Sequence, residues 1–158
     1  MIQTMIALSF WLHGLATVVL IGHYLLLALI YLPVFAKNQA SPVSGMILSE
    51  ISKRSRVWMY ASLGVFIVTG IYLMFADPNY LGVGDFGNLW SILMLVKHTL
   101  IVGMLGAGFW YNAILRVGPQ MISNSGSAQA FVHFRQYSVQ MAIAGALVLL
   151  LTAISQAL

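Results

Sequence analysis

The chain has 158 residues, of which 61% are hydrophobic and only 6% charged, and its mean hydropathy is +0.93. A water-soluble domain carries about 25% charged residues, so the expected solvent is lipid, which excludes secreted scaffolds, nucleic-acid binders and cytosolic enzymes. The net charge of +4 rests on seven Lys and Arg in loops and at helix ends, where they report topology rather than a polyanion site, and the absence of Cys leaves His, Met and carboxylates as the available metal ligands.

A bilayer core takes about 20 apolar residues per helix, and four segments reach that length, at about 6–36, 57–76, 89–115 and 131–158. The expected fold is all-α, a four-helix transmembrane bundle forming a single membrane domain over 1–158. The first segment has no basic residue ahead of it and is too long for the apolar region of a signal peptide, so it reads as a membrane helix. The connection after it, KNQASPVSGMILSEISKRSR, carries Lys37, Lys53, Arg54 and Arg56 against Glu50. Its Ser41-Pro42 pair has the chemistry of a helix N-cap, and Val43, Met46, Ile47 and Ile51 recur at helical spacing. The stretch reads as a docked helix start, with an interfacial turn or a cytoplasmic extension of the second span as alternatives.

The second connection, DPNYLGVGDFGN, holds Asp77 and Asp85 and no basic residue, with Pro78 and its glycines marking turns. The third is a polar linker bounded by Arg116 and Arg135. The positive-inside rule then places the first and third connections in the cytoplasm, and the second loop, the N-terminus and the C-terminus outside. Trp11, Tyr80 and Trp90 toward one boundary and Tyr31, Trp58 and Tyr60 toward the other are distributed as aromatic belts.

Ionisable side chains inside a span are costly and are functional candidates by default. Here they are His13, His23, Lys97 and His98, with His133 at the inner end of the fourth span. At about 1.5 Å of rise per residue, His13 lies roughly 8–10 Å below the outer boundary and His98 about 12 Å, while His23 is about 15 Å further along the first helix. Two imidazoles at matched depth on different helices suit the axial positions of haem b. Gly103 and Gly106, with Ala107 and Gly108, offer room for a flat macrocycle near His98, and Gly14, Ala16 and Thr17 do so beside His13. Such small residues also simply let helices approach closely. Lys97 snorkels outward, as a membrane anchor or as the neutralising partner of a propionate.

Thioether and imidazole suit Cu(I), yet the nine Met residues are scattered and read mostly as packing. Met94 and His98, four apart on one helix, are the most copper-like pair. No nucleophile with a base partner and no phosphate-binding Gly loop is visible.

The first span, LHGLATVVLIGHYLLL, resembles the copper-resistance protein D family of small helical membrane proteins, whose Leu-His and later Trp-x-Gly-Gly fall here on Leu12-His13 and on Leu20, Ile21, Gly22 and His23. The Arg-to-Thr-Gly run of the second span, ending in Thr69-Gly70, and the Lys97, Asn112 and Arg116 of the third are similar to that family as well. The chain also resembles the four-helix membrane protoporphyrinogen oxidases, which are associated with haem b, through its first-span His, Tyr31-Leu32-Pro33 and Lys97; Val34 stands where that family has Arg. The first likeness implies copper homeostasis, whereas the second and the paired depths imply haem.

The leading expectation is thus an integral protein of the bacterial cytoplasmic membrane that binds haem b between His13 and His98 for electron transfer, with a redox partner or a larger membrane complex beside it. A copper-transport protein using His13, His98 and Met94, and a cofactor-free structural subunit, are the alternatives. His23 is expected to hydrogen-bond a neighbouring helix or a water.

Overall fold

A computed structural model describes residues 2–37, 42–110 and 127–157. These residues form four helices and no strand, and all four helices are long and apolar enough to cross a membrane. The first, α1, runs as Ile2–Leu26, a π-helical turn Leu27–Tyr31, and Leu32–Lys37. The others are α2, Pro42–Ala76; α3, Leu89–Trp110; and α4, Ser127–Gln156.

The π turn has a local cause in Pro33. A proline inside a helix lacks the N–H for the carbonyl four residues back and crowds it with its ring. Widening the preceding turn, so that the Leu32 N–H reaches the Leu27 carbonyl, absorbs both effects without breaking the span.

Two helices start earlier than hydropathy alone suggests. α2 begins at Pro42 rather than near 57, so the stretch read as a docked helix start is a continuous extension of the second span. Its 35 residues measure about 52 Å, well beyond a hydrocarbon core of about 30 Å. The surplus carries the exposed Glu50, Lys53, Arg54 and Arg56. α4 begins at Ser127, four residues before the apolar run. Ser41, the end of the third span at 115, Asn112 and Arg116 lie outside the described residues.

Burial follows the helical period on α4, where Tyr137, Ser138, Met141, Ala142, Val148 and Ser155 face inward. On α1, which packs against α4, Ala16, Ile21, Leu27 and Leu32 are the buried apolar residues. Phe131 and Phe134 cover the fully buried Leu32, and Gly145 admits Ile21 so closely that an added Cβ would lie 2.8 Å from its Cγ2. Small residues at the contact are how membrane helices gain van der Waals packing when lipid offers no hydrophobic drive. Large apolar side chains such as Val18, Leu29, Val57, Val68 and Val102 point outward into the bilayer.

α1 packs on α2 and on α4, and α3 packs on α4. Among the described residues, α3 does not pack closely backbone to backbone on α1 or α2, and this spacing leaves room in the centre of the bundle. The α2–α3 loop is held by its own side chains. Asp77 and Asp85 each accept a backbone N–H two residues on, at 2.9 Å, and Asn88 caps α3 by accepting the Ser91 N–H at 2.7 Å. Gly82 and Gly84 take φ of 124° and 84°, which a side chain would strain.

Candidate functional site: two histidines and a central cavity

His13 stands where α1 crosses α2. Its ring stacks on Phe66 with centroids 4.3 Å apart, and its Nδ1 lies 2.9 Å from Thr69 Oγ1. Gly70 makes room for the ring, since a Cβ there would lie 3.2 Å from its Cε1. The Thr69 hydroxyl has one proton and directs it to the Val65 carbonyl at 2.6 Å. Thr69 therefore accepts from His13 Nδ1–H, which leaves the lone pair on Nε2. Thr17, the local partner that helix geometry suggests for His13, instead donates to the His13 backbone carbonyl at 2.7 Å.

His98 reaches the same tautomer by a different route. Its Nδ1 lies 2.6 Å from the Met94 carbonyl, an acceptor only, so Nδ1 is the donor, and in the neutral ring Nε2 carries the lone pair. The imidazole is exposed. Both Lys97 and His98 lie within Coulombic reach of the His13 ring. Lys97 is half-buried and interacts electrostatically with Asp77 in the α2–α3 loop, so its side chain belongs to the loop end of α3.

Counting residues from side-chain contacts relates the levels of the two histidines to within about a helical turn. Gly108 lies under the hydroxyls of Tyr24 and Tyr137, and counting back along the parallel helices from Tyr24 and Gly108 brings His13 level with Lys97. Through α2, the His13–Thr69 bond and the stacking of Tyr60 on Phe109 bring His13 level with Leu100. The two routes bracket His98. The glycines stand elsewhere: at about 100° per residue, Gly103 is turned about 140° and Gly106 about 80° from His98. Both are exposed, and a Cβ at either would meet nothing within 4 Å. The five-residue offset turns Gly103 away from His98, whereas Gly106, eight residues on, stays on the same broad side of the helix.

His23 lies ten residues beyond His13, about 15 Å along α1. It does not hydrogen-bond a neighbouring helix: neither ring nitrogen has such a partner among the described residues, and the ring meets Tyr24 edge-on at 5.5 Å. Instead it lines a partly open cavity of about 160 Å³ to which all four helices contribute, with Tyr24 from α1, Arg56 and Tyr60 from α2, Met104 from α3 and Met141 from α4. Phe66 lines this cavity and also stacks on His13, so the two features adjoin. Sequence reasoning passed over the cavity, whose one signal was an intramembrane His followed directly by Tyr. His133 is exposed on α4, between Phe131 and Phe134. Among the described residues no group of three or more His, Asp or Glu converges as a metal cage, and Met94 meets His98 through its backbone carbonyl.

No protein-family model, curated protein or solved structure matches the chain.

Proposed function

We propose that the chain is a small haem b electron-transfer protein of a bacterial cytoplasmic membrane, with both termini outside and with His13 and His98 as the axial ligands. The observation that supports this reading most is the shared tautomer. Each ring commits Nδ1–H to an acceptor of the protein and keeps its Nε2 lone pair, the arrangement that orients ligating histidines. The donor set is therefore suitable: two imidazoles on helices that do not pack closely on each other among the described residues. An exposed imidazole within a span also needs a partner that lipid does not provide.

When bound, haem b would supply one-electron chemistry. The chain's own residues hold and tune the site. Thr69 and the Met94 carbonyl orient the two rings, Phe66 blocks one ring face, and Lys97 offers a positive charge toward the loop end of α3, where a propionate would be neutralised. The test is the reduced-minus-oxidised spectrum and metal content of protein produced with ample haem. A Soret and a sharp reduced α band, both lost in His13→Ala and in His98→Ala, are expected. Stoichiometric copper without haem, or protein with neither, overturns the proposal, as does a low-spin spectrum that persists in both variants.

A further inference from the structure

The central cavity has no role in the site just described, and its chemistry points to a ligand of its own. We infer that it receives the ring of a lipophilic quinone or quinol, with His23 as the hydrogen-bonding group and the tail remaining in the bilayer. As the redox partner, this quinone rests on the electron-transfer reading; as a ligand, it rests on the cavity alone.

Three observations carry the inference. The first is size, since about 160 Å³ is close to the engineered apolar cavity of about 150 Å³ that holds one benzene ring. A single six-membered ring fits this space. The second is the wall, which is mainly apolar and aromatic, with Leu63, Phe66, Met104, Leu105, Phe109 and Met141 around the ring space. The third is His23. It is a half-buried imidazole lining a cavity inside a membrane bundle, without a hydrogen-bond partner among the described residues. A neutral imidazole has one N–H donor and one acceptor nitrogen. It therefore pairs with a quinone carbonyl through the donor and with a quinol hydroxyl through the acceptor, so both redox forms are held by one side chain.

Access follows from the packing. α2 and α3 both line the cavity yet do not pack closely on each other, so the ring enters from the bilayer between them. Tyr60 and Phe109, stacked at 6.3 Å, are the contact a ring would pass. Arg56 also lines the cavity, and an anionic lipid chain drawn in by that guanidinium is the competing occupant that the experiment separates.

The experiment measures binding of decylubiquinone to the purified protein in maltoside micelles, corrected for partition into empty micelles, with oleate as competitor. Saturable binding of one molecule per chain is expected. It should weaken at least tenfold in His23→Leu, return to within threefold in His23→Gln, which keeps a donor, vanish in Met104→Trp, which fills the cavity, and change less than twofold in Arg56→Gln. Far-UV dichroism and gel filtration establish that each variant is folded. Binding no greater than micelle partition, equal binding by wild type and His23→Leu, or oleate binding that displaces the quinone and depends on Arg56 overturns the inference. Haem content of the same preparation keeps the two readings apart: haem-free protein that binds the quinone through His23 refutes the electron-transfer reading and leaves this site standing. Haem-loaded protein that fails to bind it does the reverse.

Discussion

Replacing Thr69 by Val tests the link between helix packing and ligand orientation, because Val keeps the shape of Thr and removes only the hydroxyl. In wild-type protein that hydroxyl accepts from His13 Nδ1–H at 2.9 Å and donates to the Val65 carbonyl at 2.6 Å. Interhelical hydrogen bonds in membranes average about 0.6 kcal/mol and reach about 1.7. The residue is buried and the His13 ring partly so, which places this bond toward the upper part of that range. The stacking of His13 on Phe66 remains. We therefore expect Thr69→Val to cost the haem-free protein about 0.5–2 kcal/mol in a reversible SDS-unfolding titration. Loss of a partner that orients a ligating histidine typically lowers affinity 10–100-fold, so haem titration followed at the Soret band should show a drop of that size. Thr69→Ser, which restores the hydroxyl, should recover most of both. Equal behaviour of wild type and Thr69→Val in both assays would refute the reasoning, and so would equal losses in the Val and Ser variants.

Gly145→Ala should destabilise the α1–α4 contact by about 1–3 kcal/mol, because its Cβ would lie 2.8 Å from Ile21 Cγ2. A double-mutant cycle with Ile21→Ala in the same titration should show a favourable coupling of about 1 kcal/mol or more; independent effects would contradict the close approach. Ser138 is fully buried and among the described residues its Oγ has no hydrogen-bond partner, so Ser138→Ala should be neutral or raise stability by up to about 1 kcal/mol, and a loss above that would reveal a bond the hydroxyl makes. For topology, a reporter active only outside the cytoplasm should be silent when fused after Asn38 and active when fused after Asp85; the opposite pattern would reverse the bundle in the membrane.

The spans were legible because burial in lipid needs only a long apolar run, and hydropathy reads that directly. The start of α2 was less so, since the stretch from Pro42 to Arg56 lies largely outside the hydrocarbon and mixes charged with apolar residues. Pro33 lies within the first apolar run, and the sequence does not say that a π turn rather than a break accommodates it. At the site, helical rise gives His13 and His98 matched depths as an expectation only. The partner of His13 was not legible: only Thr17 is visible from within one helix, whereas Thr69 reaches the ring through the register of α1 against α2. Grouping Gly103 with His98 treated nearness in sequence as nearness on the helix surface, which a five-residue offset at a period of 3.6 residues does not allow. The cavity at His23 depends on all four helices together, and no single segment encodes it.

The electron paramagnetic resonance spectrum of the oxidised protein tests the central claim most directly, because it reports the axial ligands of ferric haem. Two imidazoles from His13 and His98 predict a low-spin ferric signal of the bis-histidine type, converted to a high-spin signal or lost when either residue is replaced by Ala. A wild-type spectrum that is high-spin, that shows only Cu(II), or that contains no metal signal in protein lacking bound haem would contradict the account.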